Sequence, residues 1–185
     1  MSKRLFVGID TSNYTTSAAL CDETGRVLCN AKMLLPVAEG ERGLRQSDAV
    51  FHHVRNLPAV MEQLRRAVIE AGEDSAIAAI GVSARPRDAE GSYMPCFLCG
   101  IAAAEAFAAS RALRVYETSH QHGHVMAAAY SSGESDRLLG GRFLAFHVSG
   151  GTTEALLVTP NKDKSDFDIE LVGETKDINA GQAID

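Results

Sequence analysis

The chain has 185 residues, 45% hydrophobic and 23% charged, with a formal net charge of -6. That is enough chain for a full core, and too acidic a balance for a broad, self-sufficient nucleic-acid surface. No apolar run approaches a membrane span, the first residues lack a signal-peptide core, and four cysteines make no disulfide framework, so a cytoplasmic protein is expected.

Leu5, Val7 and Ile9 lead into Asp10-Thr11-Ser12-Asn13-Tyr14-Thr15-Thr16-Ser17. Apolar character returns at Ala18 to Leu20, and Asp22 to Gly25 turn the chain into Val27 to Met33. This pattern predicts three antiparallel strands. The first turn is either an ordinary polar turn or, through its hydroxyls and backbone amides, a cradle for an anion, with Asp10, Thr11 and Ser12 as phosphate-turn candidates. Pro36 to Ser47 reads as a loop. From Asp48 to Ala71, Val50, Phe51, Val54, Leu57, Met61, Leu64, Val68 and Ile69 recur at helical spacing, with Gly72 as a stop. Pro58 within that run predicts a kink or two abutting helices, and His52 and His53 read most simply as surface or capping residues. Ala76 to Ser83 is a strand, Ala84 to Pro95 a loop, Phe97 to Leu113 an alanine-rich helix, and Arg114 to Glu117 a strand. Cys96 and Cys99 form a CxxC with no second pair to complete a zinc site, so packed thiols are expected.

Ser119-His120-Gln121-His122-Gly123-His124 gathers half of the six histidines just ahead of the apolar segment Val125 to Tyr130. If this window opens a helix, His120 and His124 stand one turn apart, about 40° around the axis, and both imidazoles can reach one ion. His122 would point away. Neutral imidazole suits zinc or iron, but a centre needs at least one further His or carboxylate ligand. The plain alternative is a polar helix start whose histidines cap backbone groups or face water.

After a connector from Ser131 to Gly141, the pattern predicts strands at Arg142 to Val148, Ala155 to Val158 and Phe167 to Val172. They are joined by Ser149-Gly150-Gly151-Thr152-Thr153 and by a charged turn from Asn161 to Ser165. Each end of the chain therefore runs strand, Ser/Thr/Gly-rich turn, strand, charged turn, strand, the outline of an internal structural repeat. Ala180 to Asp185 reads as the start of a helix too short to bury an apolar face, as expected for a chain cut within a second domain. The expected organisation is an N-terminal domain over residues 1–135 and the truncated start of a second over 136–185.

Two such units with helices between them resemble the actin-like ATPase and sugar-kinase (ASKHA) superfold, an α/β architecture with a ligand cleft between duplicated domains. Four motifs narrow the resemblance. Gly8-Ile9-Asp10-Thr11-Ser12, the Ser119 to His124 window, Val148-Ser149-Gly150-Gly151-Thr152 and Gly173-Glu174-x-x-Asp177-x-x-Ala180-Gly181-x-Ala183-x-Asp185 occur in the order found in the TsaD family. These are the tRNA threonylcarbamoyladenosine transferases, formerly called O-sialoglycoprotein endopeptidases or glycoproteases. The resemblance implies that His120 and His124 bind one iron or zinc ion. It further implies that the turn His147, Val148, Ser149, Gly150 and Gly151 contacts substrate, and that Asp185 binds the nucleoside part of a nucleotide or acyl-adenylate in the cleft. The implied reaction moves a threonylcarbamoyl group from threonylcarbamoyl-adenylate to the adenosine beside the tRNA anticodon. tRNA is then the substrate, and a homodimer or the proteins of a tRNA-modifying complex are the implied partners, with no membrane.

Several positions depart from the family pattern. Ala84-Arg85-Pro86-Arg87-Asp88 replaces a glycine-proline-glycine turn, His147 stands where an apolar residue is usual, Thr152 replaces a histidine, and Ile178 and Gln182 replace acidic residues. The chain therefore resembles a divergent paralogue. The family's third metal ligand, an aspartate, falls in a C-terminal half beyond Asp185, so the 185 residues alone are expected to bind metal weakly and to turn over poorly or not at all.

Two other readings use the same fold. A non-catalytic scaffold paralogue of a tRNA-modifying complex would not need the histidine pair, and an ATP-dependent kinase would use Asp10 and the two turns for magnesium and phosphate. A metalloprotease is disfavoured because the helical protease motif places Glu directly after its first His, where this chain has Gln121.

Overall fold

Strict alternation decides the first strands. Leu5, Val7 and Ile9 on β1 (Lys3–Asp10) and Thr16, Ala18 and Leu20 on β2 (Thr15–Asp22) are buried, while their neighbours are not, the period-2 signature of a sheet covered on one face. β3 (Val27–Leu34) completes an antiparallel meander with β2, as the sequence predicted. The computed structural model describes residues 3–12, 14–37, 43–148, 151–162 and 166–184, and the chain divides into two compact units, Met1–Gln121 and His122–Asp185.

In the first unit, α1 (Gln46–Glu70) carries the chain to β4 (Ser75–Arg85), which pairs parallel to β1. Then α2 (Phe97–Ala109) leads to β5 (Arg114–Ser119), parallel to β4, giving the sheet order β3-β2-β1-β4-β5. Parallel neighbours require crossover connections, and α1 and α2 are those crossovers. Val60 and Leu64 of α1 and Ala104 and Ala108 of α2 join Leu5, Val7, Ile9, Leu20, Ile80 and Val82 in one core. Each large aliphatic side chain there contributes about 1.5–3 kcal/mol by burial.

Two expectations for α1 are corrected. It runs as one helix through Pro58 rather than as two abutting helices. The exposed proline forgoes a single ladder bond, the one to the Val54 carbonyl. Its buried face is Ala49, His53, Val60 and Leu64, so His53 is neither a surface nor a capping residue, and Phe51, Val54 and Ile69 are exposed. The physical reason lies on β2. Thr16, buried on the sheet face that α1 covers, meets His53 Nδ1 at 2.8 Å, so the helix turns its histidine inward against a hydroxyl partner.

The second unit begins within α3 (His120–Ser132), the helix predicted to open at the histidine window. Gly133, at φ 72°, closes α3 in the left-handed conformation that glycine adopts without penalty. The short α4 (Ser135–Leu138) follows, then an antiparallel sheet β6-β7-β8 of Phe143–Val148, Thr153–Pro160 and Phe167–Glu174, and finally α5 (Ala180–Ile184). Val125 of α3 packs with Leu156, Val158 and Phe167 on one face of this sheet. Among the described residues, no helix is long and apolar enough to cross a membrane.

Candidate functional site

Parallel strands deliver their C-terminal ends to one edge of a sheet, where ligands of open α/β folds bind. β1 ends at Asp10 and β5 at Ser119, so the topology brings Asp10 and the start of α3 together. His120 Nδ1 lies 2.9 Å from Asp10 Oδ2. A carboxylate only accepts, so Nδ1 carries the proton of this hydrogen bond. Ser12 donates to the same carboxylate through its backbone N–H, at 2.8 Å, and through its hydroxyl. Burial works to raise the Asp10 pKa. The His120 hydrogen bond and charge, with bonds from Ser12 and Ser83, outweigh it and hold the carboxyl well below the usual carboxylate range.

Thr11 is fully buried. Its hydroxyl donates to the Cys96 carbonyl at 2.9 Å and accepts from the Gly100 N–H at 3.0 Å, tying the first turn to the start of α2. A Cβ at Gly100 would sit 2.8 Å from that hydroxyl oxygen, which is why glycine occupies the position. Cys96 and Cys99 are buried and not disulfide-bonded, and burial pushes the Cys99 thiol up, consistent with packed thiols.

On α3, His122 packs against Phe167 of β8. Its ring stacks on Phe167 with centroids 4.5 Å apart, and Nε2–H donates to the Phe167 carbonyl at 2.6 Å. His124 stands one turn after His120, and its ring centre lies 5.5 Å from that of His147 on β6, tilted by 31°. His147 Nδ1 is 3.2 Å from Glu154 Oε2, its direct cross-strand partner. Glu154 is 5% exposed, in phase with buried Leu156 and Val158.

The structure thus brings together Asp10 with His120, and His124 with His147, all four being positions singled out from the sequence. Val148 is exposed at the end of β6, and Gly151 is exposed in the turn that follows. Ser149, Gly150 and Asp185 lie outside the described residues. Sequence reasoning missed Glu154, although a carboxylate in register with Leu156 and Val158 was a visible signal of a buried charge. It also missed the buried trio His53, Thr16 and Asn56, in which Asn56 Nδ2 donates to Thr16 Oγ1 at 3.3 Å. Burial, the largest cause, depresses the His53 pKa.

The donors suit zinc or ferrous iron in kind, since imidazoles on one helix, the first oriented by a carboxylate, are ligands both ions accept. In number they are incomplete. Among the described residues, no group of three or more His, Cys, Asp or Glu side chains is gathered to hold a metal ion.

A meander extended through parallel crossovers, followed by a second meander, is the fold of the actin-like ATPases and sugar kinases. No protein-family model matches the chain. Its sequence is 32% identical to a tRNA N6-adenosine threonylcarbamoyltransferase of Streptococcus suis, covering 100% of this chain and 50% of that protein. A protein of the same name from Phocaeicola vulgatus is also 32% identical, over 98% of this chain and 50% of its own length. Among solved structures, YeaZ from Pseudomonas aeruginosa superposes with a TM-score of 0.50 at 19% identity, covering 95% of this chain and 67% of that one. The chain belongs to the TsaD family and spans about half the length of the curated relatives it matches.

Proposed function

We propose that this chain is part of a metal-dependent transferase that moves a threonylcarbamoyl group from threonylcarbamoyl-adenylate to the adenosine beside a tRNA anticodon. The observation that carries the reading is the Asp10 carboxylate on the His120 ring at the start of α3, at 2.9 Å. The name of the relatives, over the whole of this chain, supports it.

His120 and His124 would hold one zinc or iron ion. When bound, such an ion supplies Lewis acidity toward an acyl carbonyl. Asp10 holds the His120 ring through Nδ1, so that Nε2 is the nitrogen that would bind the ion. The turn after β6 contacts the acyl-adenylate, with Gly151 bringing backbone close to the substrate because it has no side chain. The adenosine amino nitrogen attacks the carbonyl carbon and the bond from that carbon to the phosphate oxygen breaks. AMP departs with that oxygen, and the proton of the attacking amine is lost to solvent.

Protein expressed from the complete gene should carry close to one equivalent of zinc or iron, and His120→Ala with His124→Ala together should remove it. Given threonylcarbamoyl-adenylate and tRNA, the same protein should yield the modified adenosine, read by mass spectrometry of nucleosides. Metal retained in the double variant would sink the ligand assignment. ATP hydrolysis or phosphorylation of a small molecule, in place of transfer, would establish the kinase reading instead.

A further inference from the structure

We infer that Asp88 is a positioning residue: its carboxylate joins the ends of β4 and β5 and fixes the helix turn that carries His120. β4 ends at Arg85 because the next residue is Pro86, which keeps Arg85 extended and has no N–H to continue the ladder. A register shift between Ser83 and Arg85 sets Arg85 opposite Ser119, the last residue of β5. The loop that follows folds back over both strand ends. Asp88 Oδ1 accepts from Arg85 Nε at 2.8 Å and Nη2 at 2.6 Å, and Oδ2 accepts from the Ser119 hydroxyl at 2.9 Å. Each carboxylate oxygen thus holds a different strand, through charge-assisted bonds that are stronger than neutral ones.

The same loop makes a second contact just past His120. The Gln121 N–H, one of the four at a helix start with no partner inside the helix, donates to the Pro86 carbonyl at 3.0 Å. His120 is therefore bracketed. Ser119 before it is fully buried, Gln121 after it is buried, and each is bonded to this loop, one to Asp88 and the other to Pro86. The ring that meets Asp10 Oδ2 at 2.9 Å belongs to the residue between them, so the loop sets the direction in which that ring leaves the backbone. Without the Asp88 carboxylate, the buried Ser119 hydroxyl loses this acceptor and the Arg85 guanidinium loses both bonds, which frees the loop from the strand ends. Asp88 touches no reacting atom and acts through His120. The inference rests on the reading of His120 as an active-site residue and requires nothing of His124 or His147.

The test compares Asp88→Ala, Asp88→Asn and Ser119→Ala with the wild type, each expressed from the complete gene. Two quantities are read: threonylcarbamoyl transfer, and the proton resonance of the His120 Nδ1–H, which the bond to Asp10 protects from exchange with water. Asp88→Ala should lower kcat about 10- to 100-fold, leave KM for threonylcarbamoyl-adenylate within about twofold, and broaden the Nδ1–H signal. A residue that served stability alone would reduce the yield of folded protein and leave kcat and the signal of the folded fraction unchanged. Asp88→Asn, which keeps an acceptor for the Ser119 hydroxyl, should recover most of the loss, and Ser119→Ala should move both readouts in the same direction by a smaller factor. Wild-type kcat in folded Asp88→Ala overturns the inference. If the wild type transfers nothing, the functional reading fails and the signal alone decides: broadened in Asp88→Ala, it upholds the positioning of His120, and unchanged, it overturns it. Should Asp88→Ala fail to fold, Ser119→Ala decides by the same two readouts, and wild-type values there overturn the inference.

Discussion

The two meanders of this chain are built alike and finished differently. β1 to β3 are extended by β4 and β5, and α1 and α2 bury a core that runs the width of the sheet. β6 to β8 have Val125 of α3 on one face, while the other face presents Leu144 at 58% and Phe146 at 72% exposure, with Val148 and Val172 beside them. The alternation that makes a half-buried strand is present in both. What differs is whether another element lies over the apolar residues, and that decides how much each strand contributes to stability.

The comparison can be broken most directly by truncating the centre of each meander. Leu20→Ala, in the broad core of the first unit, should cost about 3–5 kcal/mol, and Leu156→Ala, in the smaller core of the second, about 2–3 kcal/mol, read by denaturant unfolding. Equal losses would mean that the second sheet is as tightly packed as the first. A smaller effect is expected at the contact between the first turn and α2. Gly100→Ala drives a methyl to 2.8 Å from Thr11 Oγ1 and should cost about 1–3 kcal/mol of thermal stability; an unchanged melting temperature would show that the turn yields without resistance.

The buried His53 sharpens the first unit through pH. Its pKa is depressed below the ordinary 6.5, so below that value the unfolded chain binds a proton that the folded chain resists. Stability from this group is therefore present above pH 6.5 and falls as the pH drops through the folded pKa. His53→Gln should flatten that part of the pH dependence relative to the wild type. Identical slopes in the two proteins would contradict the burial of a neutral ring. The smallest effect is reserved for the open face, where Phe146→Ser should change stability by no more than about 0.5 kcal/mol. A loss above about 2 kcal/mol would show that this face is covered in the complete protein.

Much of this was legible in the linear chain. Apolar alternation located all three strands of each meander, and the Ser119 to His124 window located the start of α3. The phase of α1 was not legible, because Val50, Phe51, Val54, Ala49 and Val60 provide apolar residues on more than one face, and spacing alone cannot choose between them. The choice fell to Thr16, whose hydroxyl on β2 gives His53 a partner inside. Glu154 was half legible: its phase marked it as buried, but its partner is set by the β6–β7 register.

The sequence by itself determined which residues could serve a metal or substrate, because residue type and short-range periodicity are local properties. It could not determine that Asp10 would stand behind His120 or that Glu154 would stand behind His147. Those pairs join residues 110 and 7 positions apart. Sheet topology forms the first and strand register the second, and each exists only when the backbone has closed its long-range hydrogen bonds.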